Sequence, residues 1–165
     1  MTKITKVLFQ SQFIDGEFNW PTSTDMGFMT DEETERMFAW LADIVAGKAH
    51  VGANKPSWLV KGILAPGAEP YLDNNIWHYH CGPYNVKSHG TELTDNTLAE
   101  NYDGHHSAQV YHYAKKADTI IVLGYSRLHN PFPIPTSKKN PLVARGLAVE
   151  DTVAVELMGA SQSES

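Results

Sequence analysis

Three short runs constrain this chain more than any other feature: Ile76-Trp77-His78-Tyr79-His80, Ser107-Ala108-Gln109-Val110-Tyr111-His112-Tyr113 and Thr119-Ile120-Ile121-Val122-Leu123-Gly124-Tyr125-Ser126-Arg127-Leu128-His129. β-Branched and aromatic residues dominate each run, and Gly, Asn, Asp and Pro bracket them, which is the pattern of short strands. Side chains alternate across a strand, so Ile76, His78 and His80 share one face while Trp77 and Tyr79 share the other. Two imidazoles therefore stand side by side, and six of the eight histidines fall on or near these runs.

Around them the chain supplies one helix and several connections. Lys3 to Gln12, with Ile4, Val7, Leu8 and Phe9, reads as a first strand, and Asp15 to Gly27 as a loop. Thr30 followed by Glu33 is a capping box, and Asp31, Glu32 and Glu33 set negative charge at the positive end of the helix dipole. Met37, Phe38, Leu41, Ile44 and Val45 recur on one helical face, and Gly47 stands where a C-terminal cap belongs, so a helix is predicted over 31–46. Ala49 to Ser57 reads as a connection, Trp58 to Leu64 as a strand, and Ala65 to Asp73 as a loop. The polar stretch 81–105 is long for a connection between strands, a length that usually marks function or mobility. Ala114 to Asp118 suits a hairpin, and prolines at 131, 133 and 135 stop further pairing. The expectation is an α+β fold, with an N-terminal helix packed on an antiparallel β-sheet. One domain spans 1–133, and a C-terminal extension over 134–165 holds a short helix within 140–157 and a disordered tail from Gly159.

At 42% hydrophobic and 19% charged residues, the chain is too apolar for wholesale disorder. Cys81 is the only cysteine, which excludes an internal disulfide and a cysteine-based zinc site and suits a reducing compartment. No apolar run reaches the length of a membrane span, and Met1 to Lys6 lacks the apolar core of a signal peptide, so a cytoplasmic protein without a membrane partner is expected. A net charge of −6 argues against a protein that simply coats nucleic acid. Its distribution is uneven: residues 1–46 sum to −5, while residues 105–145 sum to +5.

Imidazole titrates near neutral pH, so a histidine both gives and takes protons there. RNA cleavage by internal attack needs a base for the 2′-hydroxyl, an acid for the departing 5′-oxygen, and cations near the phosphate. His78 or His80 opposite His129, with Arg127, Lys115 and Lys116 nearby, supplies that set without metal or other cofactor. The same residues admit a second reading, a three-histidine metal site on a β-sheet. The bland readings are a hydrogen-bonded core position for His112, which shares a face with Ala108, Val110 and Ala114, and surface positions for His89, His105 and His106.

The order of pieces resembles the RelE/ParE superfamily of toxin–antitoxin toxins, in particular its YafO-like branch and, more distantly, YafQ. It runs from an acidic capped helix (Thr30 to Gly47) to a strand ending in His78-x-His80. A polar loop then leads into His106 to Tyr113, followed by an apolar strand and His129. The resemblance implies a RelE-like fold with a curved antiparallel sheet and ribosome-dependent cleavage of mRNA. It assigns the acid–base roles to His80 and His129, with His78 supporting one of them. Arg127, Lys87, Lys115 and Lys116 would then offset phosphate charge, and a cognate antitoxin would cover the basic face. A third expectation, of another class, is a non-catalytic interaction protein that docks through its acidic N-terminal helix.

Overall fold

The structure, a computed structural model, describes residues 2–84, 92–129, 140, 142, 145 and 151–154. In chain order its elements are strand β1 (Lys6–Gln10), helix α1 (Ser11–Asp15), strands β2 (Asn19–Trp20) and β3 (Ser23–Thr24), and helix α2 (Asp31–Val45). Strands β4 (Asn54–Pro56), β5 (Leu59–Val60) and β6 (Ile63–Leu64) follow, then helix α3 (Glu69–Asp73) and strands β7 (Ile76–His80), β8 (Val110–Lys116), β9 (Thr119–Ser126) and β10 (Thr152–Ala154).

Among the described residues the main sheet has six strands in the order β10-β1-β9-β8-β7-β4. Every pairing is antiparallel except β1 with β9, which run parallel from Lys6↔Thr119 to Phe9↔Val122. The fold is thus α+β, and the expected antiparallel sheet is a mixed one. The reason the pattern misleads is physical: β9 is buried along almost its whole length, and a strand covered on both faces carries no directional signal in its hydrophobicity.

Helix α2 forms as its local signals dictate. The Thr30 N–H donates to Glu33 Oε1 at 2.8 Å and the Glu33 N–H to Thr30 Oγ1 at 3.1 Å, which completes the capping box. The helix ends at Val45, and Gly47 takes φ +86° just beyond it. Its buried face sets Met37, Trp40, Leu41 and Ile44 against Phe9, Tyr79, Tyr111, Tyr113 and Val122 of the sheet. Trp40 stacks on Tyr79 with ring centroids 4.6 Å apart. The sheet's other face carries a smaller cluster of Tyr71, Ile76, Ala114, Ile121, Leu123 and Leu142.

Several expectations change. Trp58 to Leu64 is not one strand but the β5–β6 hairpin, turned by Lys61 (φ 51°) and Gly62 (φ 80°), a pair that supplies the two positive φ angles a tight hairpin needs. The predicted loop at 15–27 contains the β2–β3 hairpin. The stretch 49–57 contains edge strand β4, where Pro56 is tolerated because an edge N–H needs no partner. The described part of the 81–105 connection is tied down rather than loose, through bridges His50↔Thr94, Gly52↔His105 and Asn54↔Asn101. Asn54 donates to the carbonyls of Leu98 (2.9 Å) and Ala99 (3.1 Å) and accepts from Tyr113 Oη.

The described residues past 133 lie against the domain. Thr152–Ala154 pairs with β1, Leu142 enters the smaller cluster, and Asn140 donates to Tyr71 Oη at 2.6 Å. The other residues of the stretch 140–157, where a short helix is expected, and the tail from Gly159 lie outside the described residues. No helix among the described residues is long and apolar enough to cross a membrane.

Candidate metal centre

Strand β7 lies between β8 and β4, and all five of its side chains are buried. Trp77 and Tyr79 face α2, which leaves His78 and His80 on the opposite face, beside His112 of β8 through the His78↔His112 register. Beyond β9 the N–H groups of Arg127 and Leu128 both donate to the Pro21 carbonyl, at 2.8 and 3.0 Å, and hold the chain so that His129 lies against β7. Ring centroids stand 5.5 Å apart for His78 and His80, 5.5 Å for His78 and His129, and 5.1 Å for His80 and His129. One ring nitrogen from each of the three lies within 4.8 Å of the other two.

For His80 and His112 the groups around the rings set which nitrogens carry protons. His80 Nδ1 lies 2.8 Å from the Ser107 carbonyl oxygen and 3.2 Å from the Ser107 N–H. A lone pair against the carbonyl at the shorter distance would be repelled, so Nδ1 carries the proton and donates. His80 Nε2 then holds the lone pair, and it is buried with no hydrogen-bond partner among the described residues. His78 Nδ1 stands 2.9 Å from Ser57 Oγ. At His112, Ser126 Oγ donates to the Thr22 carbonyl (2.7 Å) and so accepts from His112 Nε2–H (2.7 Å), which makes His112 the hydrogen-bonded core residue its neighbours predict.

Burial is the largest influence on every one of these rings. It drives His78 far below the ordinary imidazole range, with the other histidines and Lys55 adding to the effect. Burial lowers His80 to about 3 against the opposing Ser107 hydrogen bond, and Lys55, His129 and His106 lower it further. His112 also falls to about 3, through burial and then His129. His129, half-buried, is lowered by burial and then by Lys55 and His106. At neutral pH the cluster offers lone pairs and no positive charge of its own.

Of the residues singled out from sequence, His78, His80 and His129 come together, and the basic ones among the described residues do not join them. Arg127 turns to helix α2 and forms a two-pronged ion pair with Glu33. Lys115 lies on the helix-side face, its Nζ 2.7 Å from the Leu98 carbonyl and 4.0 Å over the Trp77 ring. Lys116 is exposed at the hairpin end of β8, opposite Thr119. Lys87, like His89, lies outside the described residues. The uneven charge of the chain is partly neutralised inside the fold, by Arg127 on Glu33 and by Arg145 on Asp25. On α2, Asp31, Glu32 and Glu35 stay exposed while Glu33 turns inward.

The cation that does stand by the histidines is Lys55, the β4 residue paired with His78. Its Nζ lies 3.3 Å from His106 Nδ1, and the His106 ring centroid is 5.1 Å from that of His80. Burial lowers the Lys55 pKa. Sequence reasoning missed Lys55, Ser57 and His106, because Pro56 and the flanking glycines made β4 read as a connection. The signal that was present is the alternation Asn54, Lys55, Pro56, which a short edge strand permits.

The donor set fits a transition ion. Three neutral imidazoles match the ligand preferences of zinc, copper, iron or nickel. Ser107 and Ser57 each hold one ring nitrogen, Nδ1 of His80 and of His78, in the way that outer groups orient metal-bound histidines. Among the described residues no carboxylate or thiolate joins the cluster. Compared with protein-family models, curated proteins and solved structures, the chain matches none.

Proposed function

We propose that the chain is a metal-dependent hydrolase in which His78, His80 and His129 hold one divalent first-row transition ion. The observation that carries this reading is the convergence of three neutral ring nitrogens within 4.8 Å, with His80 Nε2 buried and without a hydrogen-bond partner among the described residues. An ion held by these three rings would supply Lewis acidity toward a carbonyl or phosphoryl oxygen and would acidify water. The protein's part is to keep the rings neutral by burial, to aim His80 and His78 through Ser107 and Ser57, and to leave half-buried His129 on the side a substrate reaches. The test is metal analysis of protein purified without a histidine tag. One equivalent per chain, lost in His80→Ala together with hydrolysis of nitrophenyl ester or phosphodiester substrates, is the expected result. A chain that neither carries nor takes up zinc, cobalt, nickel or iron overturns it.

A second reading keeps the same histidines without metal: a YafO-like toxin with a RelE-like fold that cleaves mRNA on the ribosome and is neutralised by a cognate antitoxin. The observation in its favour is Lys55 beside His129 and His106, a fixed cation among proton carriers. His80 is ill suited to the acid role, since an imidazole held neutral down to about pH 3 lacks the imidazolium form that gives a proton to a leaving oxygen. Expression in a bacterial host without a partner decides it. Growth arrest abolished by His129→Ala supports the toxin, and unaffected growth removes it.

A further inference from the structure

Lys55 differs from the other cations packed against the fold. Arg127 and Arg145 each donate two hydrogen bonds to one carboxylate, that of Glu33 and that of Asp25 respectively. Lys55 is half-buried on the histidine face, and among the described residues no carboxylate lies within ion-pair distance of it. Its partners are uncharged. His106 Nε2 lies 3.0 Å from the Tyr102 carbonyl, which only accepts, so the ring proton is on Nε2 and His106 Nδ1 accepts from the ammonium. The Tyr102 ring centroid lies 5.8 Å from Nζ. An ammonium has three N–H donors, and His106 takes one.

A half-buried cation is unfavourable unless something compensates its charge. The neighbouring cluster makes matters worse, since it has no carboxylate and a divalent ion on it would add positive charge. We infer that Lys55, held in place by the His106 lone pair, forms an oxyanion seat beside the three histidines, so that the substrate carries a phosphate or carboxylate group there. The inference takes its setting from the proposed hydrolase and names the substrate class of that site. An ammonium binds such groups as a compact point charge with rotatable donors, which suits either oxyanion.

The test titrates full-length protein, purified without a histidine tag, with inorganic phosphate and with acetate by calorimetry at low ionic strength, with metal content measured on the same samples. Saturable binding of phosphate marks a phosphoryl substrate and binding of acetate a carboxylate one. Either supports the seat when Lys55→Met weakens it tenfold or more, Lys55→Arg retains it, and metal content is unchanged. Equal affinity in Lys55→Met and the unaltered protein overturns the seat, as does the absence of binding by both anions. Binding through Lys55 in protein that takes up no metal refutes the metal centre and leaves the seat standing. Should Lys55→Met fail to fold, the same titration of Lys55→Gln decides.

Discussion

Arg127 grips Glu33 through two hydrogen bonds of 2.8 Å, Nε to Oε2 and Nη2 to Oε1, and so ties the end of β9 to the first turn of α2. Tyr125 Oη donates to Glu33 Oε2 at 2.7 Å, so one carboxylate serves the helix cap, the sheet and the arginine. Arg127 above all, with the Thr30 N–H and Tyr125, draws the Glu33 pKa from 4.5 to about 2 against the opposing effect of burial. A folded-state pKa below the unfolded one contributes stability above about pH 4.5 that is lost as pH falls toward 2. The contribution is at most roughly 3 kcal/mol, since Arg127 keeps a solvent-facing side. Arg127→Met is expected to lower the denaturation midpoint at pH 6 and to flatten the acid dependence between pH 5 and pH 2, with anion binding at Lys55 unchanged. Denaturant titrations at pH 6 and pH 3 check this, and an equal loss at both would refute the linkage.

The buried histidines give a second pH dependence, at a higher window. His80 and His112 are held neutral down to about 3, and His78 is lowered as well. Above the ordinary imidazole pKa of about 6.5 both folded and unfolded chains are neutral, and nothing is lost. Below it the unfolded chain binds protons that the folded chain refuses, so stability falls by about 1.4 kcal/mol per pH unit for each such histidine until the folded pKa is reached. Metal-free protein is therefore expected to weaken steadily from pH 6.5 to pH 4. Guanidinium unfolding at pH 7, 6 and 5 measures the slope, and a flat profile contradicts the burial of these rings.

What sequence could reveal was local. Thr30 and Glu33 announce a helix start because both capping partners lie within one turn, and the alternation of Ile76, His78 and His80 puts two imidazoles on one face because a strand's period is fixed. Residues far apart were harder. Arg127 on Glu33, Arg145 on Asp25 and Lys55 beside His106 join segments dozens of residues apart, and no periodicity encodes those partners. The same holds for β10, whose Thr152–Ala154 became a strand through pairing with β1 rather than through its own composition.

Ser126 separates a structural histidine from the three clustered ones. Its hydroxyl bridges His112 Nε2 and the Thr22 carbonyl, and all three groups depend on one oxygen. Ser126→Ala leaves the buried His112 N–H without its acceptor, so a loss of about 1–3 kcal/mol is expected. Metal content is expected to stay at the level of the unaltered chain, because His112 is outside the three-nitrogen cluster. Thermal unfolding and metal analysis on one preparation test both halves. Loss of metal with little change in stability would move His112 into the centre.

Lys115 and His129 form the opposite pair of tests. Lys115 spends its ammonium on the Leu98 carbonyl and the face of Trp77, across the sheet from the histidines. Lys115→Met is expected to cost about 1–2 kcal/mol of stability through those contacts and to leave metal content and hydrolysis unchanged. His129, half-buried on the segment held by Pro21, contributes a ring to the cluster but no side chain to the hydrophobic core. His129→Ala is expected to fold with a midpoint close to that of the unaltered chain while metal affinity drops by tenfold or more, because a site of three ligands becomes one of two. Denaturation curves and a competitive zinc titration measure the two quantities separately. Retained affinity in His129→Ala would mean that the three rings meet without sharing an ion.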